Sequence, residues 1–243
     1  MTAPDPSLPA SPSGLLIIEK PEGVSSMGVC RKVRGSLVAG GAPKRIKVGH
    51  GGTLDPLATG VLVVLIGKAT PLCDRVMAGE KEYLAEVDLS QFSTTDDREG
   101  ERTLVSVAHP PSLETLRAAC DLFLGVIPQR PPAYSAIKVQ GRRAYDLARK
   151  GDAPVLPARP VVIHEIAITR YQWPIAALHI RCGKGVYIRS LARDLGAALS
   201  TGGMLQALCR TRVARCTIDR AIPLAAIPQP LRAEHLLDPA AFL

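Results

Sequence analysis

The stretch Gly49-His-Gly-Gly-Thr-Leu-Asp-Pro-Leu-Ala-Thr-Gly60 runs directly into Val61-Leu-Val-Val-Leu-Ile66, and it constrains this chain more than any other. An unbroken apolar run bounded by glycine reads as a buried strand. Glycine admits backbone conformations that a Cβ forbids and leaves room for a ligand to approach. Pro56 cannot donate to a ladder and biases Asp55 toward an extended conformation. One carboxylate, Asp55, is thus expected at the end of a buried strand with open space in front of it. That setting suits a nucleophile or a general base. It also suits ordinary turn chemistry, in which an aspartate caps its own backbone. A phosphate loop is excluded, because its glycine must stand a fixed short distance before Gly-Lys-Ser/Thr. Here Gly60 is too far from Gly67-Lys68, and Ala69 follows the lysine.

Leu15-Leu-Ile-Ile18 reads as a second buried strand, ended by Lys20-Pro-Glu-Gly23. Ser25 or Ser26 then caps a basic helix running to about Val38. Residues 39–52 are rich in glycine and carry Lys44, Arg45 and Lys47, which suggests a mobile loop beside the acid. Tyr83 to Leu89 partly alternates, as in a half-exposed strand, and Gln91 to Arg102 reads as a hairpin or loop. Ser112 to Phe123 has helical spacing. Strands are expected near 161–171 and 176–182. A helix is expected from Lys184 to Ser200, with Ile188, Leu191, Ala192, Leu195 and Leu199 on one face. Strands with a few helices imply a mixed α+β fold around a large sheet.

Residues 128–151 interleave Lys138, Arg142, Arg143, Arg149 and Lys150 with Tyr134 and Tyr145. Charge with aromatic rings suits nucleic-acid contact. The alternative is a solvated charged helix from about Gly141 to Lys150.

A net charge of +8 and a pI near 9.4 favour a polyanionic partner, nucleic acid first. The six cysteines form no Cys-x-x-Cys pair and have no histidine at metal spacing, so no zinc or other metal site is expected. They suit reduced thiols in a cytoplasmic protein. Residues 1–13 hold four prolines and read as a disordered tail rather than a secretory signal. No apolar stretch approaches a membrane span.

The residues around Asp55 resemble the active-site motif of the TruB family of tRNA pseudouridine synthases. Other segments agree, in the family's order. They are Lys20-Pro-Glu-Gly-Val-Ser-Ser, Gly67-Lys-Ala-Thr, Lys81-Glu-Tyr83, Gln129-Arg-Pro-Pro-Ala-Tyr-Ser-Ala-Ile-Lys-Val-Gln-Gly and Cys182-Gly-Lys-Gly-Val-Tyr-Ile-Arg189. The resemblance covers roughly residues 15–218. It departs at Ser90-Gln-Phe-Ser-Thr-Thr-Asp-Asp, where the family usually has glycine and then a turn rich in Thr and Asp.

The resemblance implies the pseudouridine synthase fold: a mixed, largely antiparallel central sheet flanked by helices and RNA-binding loops. It implies a catalytic domain over 14–220 and a short extension over 221–243, too small for the RNA-binding PUA domain that many relatives carry. It implies isomerisation of uridine at position 55 in the tRNA T loop, on a flipped-out base, without a cofactor. Asp55 would attack the sugar C1′ or the base C6, or stabilise a glycal-like intermediate. Arg189 would pair with Asp55. Tyr83 would stack on the base and help remove the C5 proton. His50, Tyr187, Lys20, Lys138 and Arg142 would bind the RNA. The expected partner is the tRNA T arm, met by a monomer with no guide RNA. The competing readings are a non-catalytic RNA-binding protein and a guide-RNA-dependent rRNA synthase of the related eukaryotic and archaeal type.

Overall fold

The computed structural model describes residues 12–135, 137–139, 141–148, 151–152 and 154–242. Of the tail expected at 1–13, all but Pro12 and Ser13 lie outside the described residues, as do Arg149 and Lys150. The chain divides into two compact units, Met1–Gly79 with Thr211–Leu243, and Glu80–Arg210.

The first unit begins with β1 (Gly14–Lys20), α1 (Ser26–Ala39), β2 (Val48–His50), β3 (Thr59–Ile66) and α2 (Cys73–Ala78). The apolar runs behave as expected: Leu15 to Ile18 and Val61 to Ile66 are all buried. β1 and β3 pair antiparallel, with Lys20 opposite Gly60 and Leu16 opposite Val64. β2 adds to β3 with His50 opposite Val64. Part of the expected loop at 39–52 is therefore strand, because the apolar Val48 gains a buried place on β3. Ser25 is the cap of α1, its Oγ accepting from Gly28 N–H at 3.0 Å.

The second unit contains β4 (Lys81–Asp88), β5 (Gln91–Ser93), β6 (Arg102–Leu104), α3 (Leu113–Asp121), β7 (Gly125–Gln129), β8 (Lys138–Val139), β9 (Arg142–Arg143), α4 (Ala144–Ala148), β10 (Arg159–Gln172), β11 (Ile175–Cys182) and α5 (Ile188–Ala198). β4, β11, β10 and β7 lie side by side in that order, each pair antiparallel. Burial alternates along β11, as the two-residue period of a sheet with unlike faces requires. β5 and β6 pair antiparallel, so of the hairpin or loop expected over 91–102 the hairpin is formed.

The helix expected from Lys184 starts only at Ile188. Gly185 takes a φ of +84°, a left-handed turn that a continuing helix cannot contain. Gly141, at φ +82°, likewise turns β8 into β9, and the helix expected from Gly141 begins at Ala144. α5 itself packs closely. A Cβ on Gly196 would stand 2.1 Å from the Gly202 carbonyl oxygen.

The chain returns to the first unit through β12 (Met204–Val213), then β13 (Cys216–Thr217) and β14 (Ile222–Pro223). β14 runs parallel to β1, with Ile18 opposite Ile222. Residues 221–243, expected as a short extension, bury Leu224, Ile227, Leu231 and Phe242. Phe242 joins Leu15, Ile17, Val63 and Val76 in one apolar cluster. The class is α+β, with a mixed, largely antiparallel sheet flanked by helices, as expected.

Candidate active site

Asp55 sits in the turn that leads into β3. Its carbonyl accepts from Ala58 N–H at 3.1 Å. This closes a four-residue turn with Pro56 at its second position, where proline's fixed φ fits. The turn is held on both sides of Asp55 by the Lys20–Ser26 segment. Ser26 Oγ donates to the Leu54 carbonyl and accepts from the Leu54 N–H, both at 2.9 Å. The Pro56 carbonyl accepts from Gly23 N–H at 2.8 Å and from Lys20 Nζ at 3.2 Å. The backbone is fixed immediately before and after an aspartate that is itself half-buried.

Lys20 was expected at the RNA. It is fully buried, with Nζ also donating to the Pro21 and Val24 carbonyls, each at 2.8 Å. An ammonium so enclosed meets the turn rather than solvent, because only hydrogen bonds to oxygen offset its desolvation. Ser26 was missed as a site residue. Its type suggested helix capping, but Ser25 does that and Ser26 reaches the turn. His50 ends β2, half-buried, and Gly51 N–H donates to the Val63 carbonyl at 2.9 Å just after it.

In the second unit, Tyr83 lies buried in β4, opposite Ile180 of β11. Arg189 is the second residue of α5 and is 5% exposed. Its Nη1 donates to the Thr95 carbonyl at 3.2 Å and faces Asp97 Oδ2 at 3.4 Å. Its Nη2 donates to the Tyr134 carbonyl at 2.9 Å. The guanidinium is thereby held by two loops that flank the helix start. Asp97 is a second residue the sequence reading missed. It is buried, and its Oδ1 accepts from Thr95 Oγ1 at 2.6 Å and Glu99 N–H at 3.0 Å.

Tyr187 precedes α5 and is clasped through its backbone by the buried Gln129. Tyr187 N–H donates to Gln129 Oε1 at 2.8 Å, and Gln129 Nε2 donates back to the Tyr187 carbonyl at 3.1 Å. The Arg159 guanidinium lies 5.5 Å from the centre of the Tyr187 ring. Lys138 and Arg142 lie on the β8–β9 ribbon, with Arg142 exposed and opposite Val139.

Burial lowers the Lys81 ammonium to about 8, helped by the nearby Arg210 cation. Burial raises the Cys182 thiol to about 12 and those of Cys30, Cys120 and Cys216 to about 11, which makes them poor nucleophiles. Among the described residues, no group of three His, Cys, Asp or Glu side chains is placed to hold a metal ion. None of the described helices is long and apolar enough to cross a membrane.

The TruB family pseudouridylate synthase N-terminal domain matches residues 42–188. The chain is 42% identical over 236 residues to tRNA pseudouridine synthase B of Corynebacterium efficiens, a match that covers 96% of this chain and 77% of that protein. It is 44% identical over 236 residues to tRNA pseudouridine synthase B of Thermobifida fusca, covering 94% and 77%. Among solved structures it is similar to a chain in the crystal structure of a Cbf5-Nop10-Gar1 complex, with a TM-score of 0.67 and 26% identity. That likeness covers 88% of this chain and 53% of the other, so this chain spans about half the other's length. Identity above 40% over nearly the whole chain reaches far beyond the aspartate turn. The chain belongs to the TruB family of pseudouridine synthases, which are isomerases.

Proposed function

We propose that this chain converts uridine to pseudouridine at position 55 in the T loop of tRNA, with Asp55 acting on a flipped-out base. The observation that carries this reading is the two-sided hold on Leu54 and Pro56. It fixes the backbone of Asp55 while leaving the residue half-buried rather than enclosed. A nucleophile gains most when its position is set before the substrate arrives. The tRNA substrate follows the relatives, which are tRNA pseudouridine synthases.

In this reading the N1–C1′ bond breaks and a C5–C1′ bond forms. The C5 proton leaves and N1 gains one, so no electrons are gained or lost and no cofactor is called for. Asp55 attacks C1′ or C6, or stabilises the positive charge of a glycal-forming step. Tyr83 stacks on the base and helps remove the C5 proton. Arg189, its fork set by Asp97 and two carbonyls, pairs with Asp55 in the reacting complex. Tyr187 and His50 hold the extruded nucleotide. Lys138 and Arg142 neutralise phosphates, and Lys20 acts from behind the turn.

The enzyme works as a monomer in the cytoplasm, without a guide RNA. Its free cysteines suit a reducing compartment. The test is to incubate purified protein with an unmodified tRNA transcript, without guide RNA, and to map pseudouridine. The expected result is modification at the T-loop site by the wild type and none by Asp55→Asn, with tRNA binding retained. Turnover by a verified Asn variant refutes the role of Asp55.

A further inference from the structure

Arg189 is not the single arginine on its face of α5. Arg193 follows one helical turn later, at the spacing that brings two side chains onto one face. The two guanidinium groups take consecutive carboxylates. Arg189 faces Asp97 at 3.4 Å, and Arg193 Nη1 donates to Asp96 Oδ2 at 2.8 Å. They also reach the same second loop. Arg189 donates to the Tyr134 carbonyl at 2.9 Å and Arg193 Nη2 to the Arg130 carbonyl at 3.0 Å. Arg193 Nε donates to Asp194 Oδ1 at 2.9 Å, which steadies its own stem.

Asp96 is held for this contact. Its φ is +61°, in the left-handed region that Asp tolerates better than most residues. Its N–H donates to the Ser93 carbonyl at 3.2 Å, and its carbonyl accepts from Leu205 N–H at 3.0 Å. Side-chain exposure is 25% for Arg193 and 15% for Asp96, so solvent screens this pair less than a surface one. Burial pushes the Asp96 carboxyl above the usual range, and Arg193 and Arg189 oppose that rise.

We propose that Arg193 is a positioning residue for Arg189. By tying both the 94–97 turn and the 130–134 loop to α5, it fixes the carbonyls and the carboxylate that orient the Arg189 guanidinium. This rests on the proposed part of Arg189 in the reaction. It adds a second guanidinium whose effect on rate arises without contact with the RNA.

The experiment measures single-turnover rate and tRNA dissociation constant for wild type, Arg193→Gln, Arg193→Lys, Asp96→Asn, the Arg193→Gln/Asp96→Asn double variant and Arg189→Gln. Asp96→Asn keeps size and shape, so it remains informative if Arg193→Gln folds poorly. A misplaced reacting group costs up to about a hundredfold in rate. The expected result is a loss of roughly tenfold or more in Arg193→Gln, Asp96→Asn and Arg189→Gln, with dissociation constants within about twofold of wild type. Arg193→Lys should recover part of the rate, and the double variant should be no slower than the slower single one. Arg193→Gln at the wild-type rate overturns the proposal. So does a loss explained by weaker tRNA binding, or a double variant whose loss is the product of the two. If Arg189→Gln is slow while Arg193→Gln is not, this proposal alone fails. If Arg189→Gln reacts at the wild-type rate, the reading of Arg189 fails and takes this one with it.

Discussion

Ser26→Ala is the sharpest test of how the aspartate turn is built. The substitution deletes one oxygen atom. That oxygen serves both backbone groups of Leu54, the N–H and the carbonyl, each at 2.9 Å. Ser26 and Leu54 are each only 3% exposed, so water cannot replace the hydroxyl without opening the structure. Leaving a buried donor or acceptor unsatisfied costs about 1–3 kcal/mol. Two such groups, partly relieved by local relaxation, give about 2–3 kcal/mol by the same scale. For a chain of this size that is a fall in Tm of roughly 4–12 °C.

Relaxation is also where activity falls. If the turn shifts to rehydrate Leu54, Asp55 moves with it, and a displacement of about 1 Å can cost on the order of a hundredfold in rate. The expected result is therefore a large fall in single-turnover rate, with tRNA affinity nearly unchanged because binding rests on phosphate neutralisation. Ser26→Thr, which keeps the hydroxyl, should recover much of the rate. The assay is pseudouridine formation under single turnover, with Tm from thermal unfolding. A Ser26→Ala protein with wild-type rate and Tm refutes the reasoning, since the two hydrogen bonds would then set neither the turn nor the stability.

Lys20→Met should lower Tm by a comparable amount, because the Pro21 and Val24 carbonyls would lose their Lys20 donor and the Pro56 carbonyl would keep only Gly23 N–H. The salt dependence of tRNA binding should not change, and a reduced slope would show that Lys20 meets a phosphate. Lys138→Ala with Arg142→Ala should make that slope shallower by about 0.7–0.9 for each phosphate that is no longer neutralised, read from affinities across a salt series. An unchanged slope would remove both from the RNA surface. Lys81 gives a pH signature. Its folded pKa, about 8, lies below the ordinary lysine value, so between these values the unfolded chain binds more protons. Its contribution to stability therefore rises with pH across that window. Wild type should gain stability relative to Lys81→Met between pH 7 and about 10 in chemical unfolding, and a constant difference would refute the shift.

The parts of the fold that the sequence showed are those governed by short-range pattern. β1, β3, α1 and α3 stand where apolar runs, serine caps and helical spacing put them. Departures cluster where a single glycine takes a positive φ, as at Gly141 and Gly185, since composition does not reveal which glycine is in use. β14 has two residues and no period to read. The site divides in the same way. The turn at Asp55 was legible because glycine and proline surround it, whereas the burial of Lys20 was not. A lysine at a strand end is usually at the surface, and what buries this one is the turn at Pro56, 36 residues further along the chain. Ser26 and Asp97 share the difficulty. Each is a common residue type whose use is set by a partner far away in sequence.

This changes how the two motifs at 20–26 and 49–60 should be read. As sequence they are separate signatures. As structure they are halves of one device, one carrying the carboxylate and the other the hydrogen bonds that fix its backbone. In the second half, Ser26 and Lys20 are spent on that backbone. In the proposed reaction these two residues act on rate through where they hold Asp55. A substitution there should therefore be judged by what it does to the Leu54 and Pro56 backbone rather than by the chemistry of the side chain removed. By that measure Ser26, an unremarkable serine in the first turn of a helix, bears on the proposed reaction more directly than Lys20, whose charge first draws attention, because Ser26 holds both polar groups of the residue next to Asp55.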